Sequence, residues 1–359
     1  RGEGDRSSLL PKPLSAEDLQ GRHRTVSSRA AENLFWLGRY TERAENSVRL
    51  ARVALEALPE ASAPVLQLLG QLISFHGLVG PRVPAPIKAP RVFERALVHG
   101  LRGGGWAATD GNTASSVAYN LRCLRQCAQS LRERLSPEHW QLIQEVDEHF
   151  EQHLEAVLAE GEGHAAAPDV LGVLARAATH LAAITGAQTD RMTRDDGWRL
   201  LSVGRQIERL DMLAHALALG FEHHLHEADD GFALLLGLFD SVITYRAQFQ
   251  ARREVLPLLH LLVLDTDNPR SLAWVARTMR DRLRKLARHD ADWVQAVTAG
   301  LPNPEEWPLD ELASTDDQGR HGALIAALQG CSAAARTLSD EISRRLFVHV
   351  VSADRRVWQ

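Results

Sequence analysis

Lysine is nearly missing from this chain: only Lys12, Lys88 and Lys285 are lysines, and the other 38 of its 41 basic side chains are arginines. Chemistry that needs an amine has few candidates, and no lysine follows a glycine-rich loop as a phosphate-binding P-loop requires. Cysteine is just as sparse. Three thiols in 359 residues cannot form a disulfide framework; Cys123 and Cys127, four apart on an expected helix, read as small buried hydrophobes, which fits a reducing compartment. An excess of positive charge is also lacking. The net charge of −5 and pI near 6.4 offer no field to a phosphate backbone, which argues against a nucleic-acid partner. The longest uncharged stretch, residues 61–81, is interrupted by Pro64, Gln67, Gln71 and His76, and the N-terminus has no signal-peptide core. Neither a membrane span nor an export signal is expected, and the predicted location is cytoplasmic.

Alternating β-branched runs are almost absent, whereas apolar residues recur at helical spacing throughout. The predicted fold is all-α, with helices near 27–58, 64–79, 91–100, 113–135, 137–159, 168–188, 195–222, 231–263, 269–288, 291–299 and 319–351. Proline-rich breaks fall at 80–90 and 301–308, and neither has the look of a domain boundary. Residues 1–25, rich in Gly, Pro, Ser and charge and opening on Arg1, read as a linker or tail from a longer chain. Residues 26–351 form the expected helical domain, and 352–359 a C-terminal tail.

An internal repeat organises the domain. The run from Leu34 to Glu45 aligns with that from Leu200 to Asp211 on the shared pattern G-R-x-x-E-R-x-[E/D], its glycines Gly38 and Gly204 lying 166 residues apart. A weaker echo joins Asn112-Thr113-Ala114-Ser115 to Asn268-Pro269-Arg270-Ser271, each ahead of an arginine-rich helix. By themselves these Asn and Ser residues would only mark helix starts. The expectation is a multi-helix bundle built from two similar halves, about 26–194 and 195–351.

On a helical wheel, Ala30, Leu34, Leu37, Thr41, Ala44, Val48 and Leu55 share a core face. The opposite face mixes Phe35 and Trp36 with Arg39, Glu42 and Arg43. The second copy sets Trp198, Leu201 and Met212 among Arg205, Glu208 and Arg209. A solvated face does not favour such aromatics, so this face too must be covered. Burying an unpaired Arg or Glu costs several kcal/mol, so these charges are either paired or in contact with a ligand. One reading is a structural Arg–Glu network locking the halves together; the other is a polar cleft in which the arginines hold an anion and a glutamate acts as base.

The run from Ser28 to Asn46, SRAAENLFWLGRYTERAEN, resembles the opening signature of the alpha-E domain family of all-helical bacterial proteins. Residues Arg132 to Trp140, Tyr245-Arg246 and Asn268 to Leu272 support the resemblance, which runs from roughly 26 to 351. This sequence departs from the family pattern at Asn112-Thr113, where Asn-Pro is usual, and at Arg125-Gln126-Cys127-Ala128-Gln129, in place of Arg-Glu-Asn-Ala-Arg. The resemblance implies a partnership with, or fusion to, a circularly permuted ATP-grasp protein that activates a carboxylate as an acyl phosphate for attack by an amine. On that expectation the chain helps form an amide bond on a peptide, amino-acid or amine substrate. ATP and Mg sit on the ATP-grasp partner, and this chain binds no cofactor or metal of its own. The residues expected to matter are Glu42 and Glu208 as bases, with Arg39, Arg43, Arg205, Arg209, Arg246, Asn268, Arg270 and Ser271 holding substrate. The alternative is a non-catalytic helical scaffold or docking module for the same partner.

Other signals carry less. His149 and His153 lack the glutamate spacing of a zinc protease. The segment from Glu222 to Glu227 reads as a solvated helix end, and Gly103-Gly104-Gly105-Trp106 as a loop without a phosphate-binding lysine.

Overall fold

The computed structural model of the chain describes residues 26–102, 116–160, 167–287 and 291–346. The expected linker, the C-terminal tail, the Gly103–Trp106 loop and the Asn112–Ser115 segment lie outside the described residues. Among the described residues there are fourteen α-helices and no strand, as the periodicity predicts. In chain order they are α1 (Ser28–Ala57), α2 (Ala63–Phe75), α3 (Pro90–Gly100), α4 (Val117–Gln129), α5 (Pro137–Glu160), α6 (Ala167–Asp190) and α7 (Asp196–Glu222). The second half adds α8 (Asp229–Leu238), α9 (Val242–Phe249), α10 (Val255–Leu259), α11 (Leu272–Ala287), α12 (Ala291–Thr298), α13 (Leu309–Ala313) and α14 (Gly322–Leu346).

The two helices that carry the repeat form the axis of the fold. Helix α7 packs most extensively on α1, then on α14 and α11, while α1 also lies against α4 and α6. Both expected faces of these helices are therefore covered: Phe35, Leu37, Trp198, Leu201, Met212 and Leu213 are all buried. Helix α7 is wrapped almost completely, which is why its sequence is apolar on more than one side. Local chemistry starts these helices where expected. Ser27 caps α1 by accepting from the Ala30 amide at 3.2 Å, and Asp195 caps α7 by accepting from Trp198 at 3.0 Å. Arg134 holds that same Asp195, and Arg132 lies 4.5 Å over the Trp140 ring. The run from Arg132 to Trp140 thus braces the start of α7.

In place of the one long helix expected over 231–263, the structure has three short ones. The backbone turns at Asp240 (φ 52°) and Gln250 (φ 60°), both left-handed; α8 before the first turn is apolar almost all round, whereas α9 between the turns buries only Tyr245. Helix α10 then runs into a single π-helical turn, His260–Leu264. The expected helix over 113–135 shortens to α4 and one 3-10 turn, Arg132–Arg134. Helix α6 is long and apolar enough to cross a membrane by length and composition alone. Here it pairs with α5 and α1, burying Val170, Leu174, Leu181 and Ile184.

Candidate functional site

The motif helices approach closely because their glycines allow it. A Cβ on Gly38 would sit 2.0 Å from the Leu201 carbonyl oxygen, and one on Gly204 would sit 2.3 Å from that of Phe35. Paired positions rise together along both helices, Gly38 with Leu201 and Glu42 with Arg205 and Arg209, so α1 and α7 run parallel. The contacts are reciprocal. Positions 35 and 38 of one copy are equivalent to 201 and 204 of the other, and each glycine meets the other's aromatic or leucine position.

The ion pairs obey the same equivalence. Arg39 and Arg43 donate through Nε to Glu208 Oε1 at 2.5 and 2.8 Å, and the equivalent Arg205 and Arg209 converge on Glu42. Arg209 is bidentate on Glu42, Nε to Oε1 at 2.7 Å and Nη2 to Oε2 at 2.9 Å. Arg205 adds bonds to Oε2 from Nη2 at 3.1 Å and Nε at 3.3 Å. Arg270, from the turn before α11, reaches Glu42 Oε1 at 3.3 Å and Glu45 Oε1 at 2.5 Å. Glu42 has 0% exposure, and its acceptor sites are filled by three guanidinium groups.

This packing sets the electrostatics. Burial alone would push the Glu42 carboxyl up, but Arg209, Arg205 and Arg270 together hold it far below the usual carboxylate range. Burial likewise acts upward on Glu208, and Arg43 and Arg39 bring it below its ordinary value. Both glutamates are ionised at neutral pH. Burial beside Arg209 pushes Arg270 down to about 10, whereas Glu42 and Glu208 outweigh burial at Arg209 and Arg43 and raise them. The aromatics expected on the covered face lie against one of these cations, Arg39 sitting 4.9 Å over Trp36 and 5.8 Å over Phe35, and Arg43 lies 5.7 Å over Tyr40.

The structure gathers most of the residues singled out from the sequence. Arg39, Arg43, Arg205, Arg209 and Arg270 surround Glu42 and Glu208. Asn268 and Ser271 serve the turn instead: Asn268 accepts from the Arg270 amide at 3.1 Å and donates to the Leu261 carbonyl at 3.0 Å. Ser271 donates to the Asp265 carbonyl and accepts from Trp274. Arg246 is exposed on α9 and makes no bond to this cluster, because the break at Asp240 points α9 elsewhere. Sequence reasoning missed Glu45, the last position of the repeat motif, which pairs with Arg205 and Arg270. It also missed Ser339 of α14, which accepts from Arg39, and which no pattern in the sequence marks.

On its outer side Glu45 opens onto a groove of about 370 Å³ between α1, α6 and the end of α8. Arg49 and Arg52 line it together with Glu56, Asp240 and the apolar Val48 and Leu181. Arg49 pairs with Asp240 at 3.1 Å.

Among known proteins, the chain is 25% identical over 338 residues to the uncharacterized protein Rv2567 of Mycobacterium tuberculosis, covering 88% of this chain and 36% of that one. The uncharacterized protein Mb2597 of Mycobacterium bovis matches to the same extent. The chain thus spans about a third of the length of the curated relatives it matches. No solved structure matches it. A family described as a predicted alpha-helical domain with a conserved ER motif matches residues 26–347. Glu-Arg steps stand at 42–43 and 208–209 in the ion cluster, and with nearly its whole length matched the chain belongs to the Alpha-E family.

Proposed function

We propose that this chain is a non-catalytic helical module of an ATP-dependent amide-forming system, docked on or joined to an ATP-grasp ligase. The Arg–Glu cluster acts as the bolt that holds its two motif helices in register. The observation that carries this reading is the complete burial of Glu42 under three arginines. A general base must reach its substrate and hold a proton near working pH, and an ionised, enclosed carboxylate does neither well. The family resemblance supports the ATP-grasp partnership, and the greater length of the relatives supports a role inside a larger chain. In that system ATP and Mg belong to the ligase. The ligase phosphorylates a substrate carboxylate, and an amine displaces phosphate while losing a proton. A cytoplasmic location goes with an ATP-consuming reaction of this kind.

A second reading is favoured by the groove beside Glu45, where arginines and carboxylates line a space open to solvent. There the module would hold a peptide, amino-acid or amine substrate for the ligase, with Arg52 as the anion-holding side chain.

The test is the reconstituted pair with ATP, Mg and a library of peptides and amines, read by mass spectrometry. Glu42→Gln should lower unfolding stability by about 3–5 kcal/mol, since it leaves buried arginines short of charge, and product should fall only as folded protein is lost. A folded Glu42→Gln chain that docks but supports no product would overturn the scaffold reading in favour of catalysis. Arg52→Ala should leave product formation unchanged; its loss would favour the substrate groove.

A further inference from the structure

The turn that ends α7 gathers donor atoms the Arg–Glu cluster does not use. His224 Nδ1 lies 3.0 Å from Glu227 Oε1, and His226 Nε2 lies 3.7 Å from the same oxygen. The three donor atoms all fall within 4.8 Å of one another. They converge because His224 takes a left-handed backbone, φ 55°, and the 3-10 turn Leu225–Glu227 comes at once after it. A non-glycine residue in that conformation is uncommon, though His tolerates it better than most.

Packing holds the middle residue of the three in place. The His226 side chain is only 5% exposed, and its Nδ1 is buried without a hydrogen-bond partner. His321, at the start of α14, has its ring centroid 4.9 Å from that of His226. Phe221 stacks on the His226 ring at 4.5 Å between centroids, so packing fixes the ring while its Nε2 faces Glu227.

We propose that His224, His226 and Glu227 bind a divalent first-row transition ion of the Zn²⁺ class, with His321 beside them. Two imidazole nitrogens and one carboxylate oxygen suit Zn²⁺, whereas Mg²⁺ and Ca²⁺ prefer all-oxygen sets. The exposed side of Glu227 leaves the ion an approach from solvent. The other histidine group is a poorer host. His153 and His180 bond their Nδ1 atoms to the carbonyls of His149 and Arg176, and the Arg176 side chain lines the same small cavity and repels a cation.

The site does not depend on the proposed function, and it is tested on the whole chain stripped with EDTA and titrated with ZnCl₂ by calorimetry. One ion should bind, and the melting temperature should rise with Zn²⁺ and not with Mg²⁺. His224→Asn with Glu227→Ala changes only partly exposed side chains and keeps a residue that accepts the left-handed backbone. It should weaken Zn²⁺ by about 100-fold or more, by comparison with the 10–100-fold that second-shell changes cost. His149→Ala with His180→Ala should leave binding unchanged. Absence of stoichiometric Zn²⁺ binding, or equal affinity in the His224→Asn, Glu227→Ala chain, would overturn the proposal.

Discussion

Single buried groups set how this protein responds to acid. His139 lies in the core with both ring nitrogens lacking partners, and burial pushes it down to about 4; His76 is also pushed down to about 4, by burial and by nearby His215. A histidine whose folded value lies below its ordinary 6.5 contributes fully above that pH, and the contribution is lost as pH falls toward 4. Glu42 and Glu208 are depressed carboxylates, so their contribution is present above their ordinary 4.5 and is lost only in stronger acid. Urea unfolding should therefore be flat above about pH 7, weaken between 6.5 and 4, and weaken again below. His139→Leu should recover roughly 2 kcal/mol of the loss at pH 4.5. If the variant and parent midpoints still fall in step through that range, protonation of His139 is not the cause. None of these values was legible in the sequence, because they depend on which atoms surround the ring. That Arg and Glu on the motif helices must find partners was legible, since an unpaired buried charge costs too much wherever it lies.

Helices differ in what a glycine does for them. In α1, Gly38 lets the Leu201 backbone come close enough for the arginine forks to span the interface; in α6, Gly186 has open space around it. Gly38→Ala should destabilise by about 3 kcal/mol, because the obstacle is backbone and cannot swing aside. Gly186→Ala should stabilise by about 0.5–1 kcal/mol through helix propensity alone. Thermal melts of the two variants check both signs, and equal shifts would mean that the close approach at Gly38 has no energetic role. The repeat pattern showed that Gly38 and Gly204 are equivalent, yet not that each would abut the other helix. The break of the expected 231–263 helix belongs to this scale as well. The leucine-rich runs on either side of 239–255 read as one helix, and the polar residues between them include no proline or glycine to mark a stop, so the turns at Asp240 and Gln250 appear only in the folded chain.

Across the molecule, the covered faces of α1 and α7 make each half depend on the other. Residues 26–194 produced alone would uncover the Gly38 side of α1, where α7 packs, and leave Glu42 without Arg205, Arg209 and Arg270. That fragment should show little cooperative melting by circular dichroism and should aggregate on gel filtration. A monomeric, cooperatively melting fragment would mean that the interface adds little to stability.

Features that rest on neighbours along the chain were legible without any coordinates: helical class, the starts of the motif helices near 27 and 195, the repeated motif and the need to cover its charged faces. The folded arrangement decided which arginine meets which glutamate, that Glu42 is sealed while Glu45 reaches a groove, that Arg246 stands apart, and that His321 comes beside His226. Periodicity and capping act within a few residues, whereas enclosure of a charge depends on segments 160 or more residues apart meeting in space.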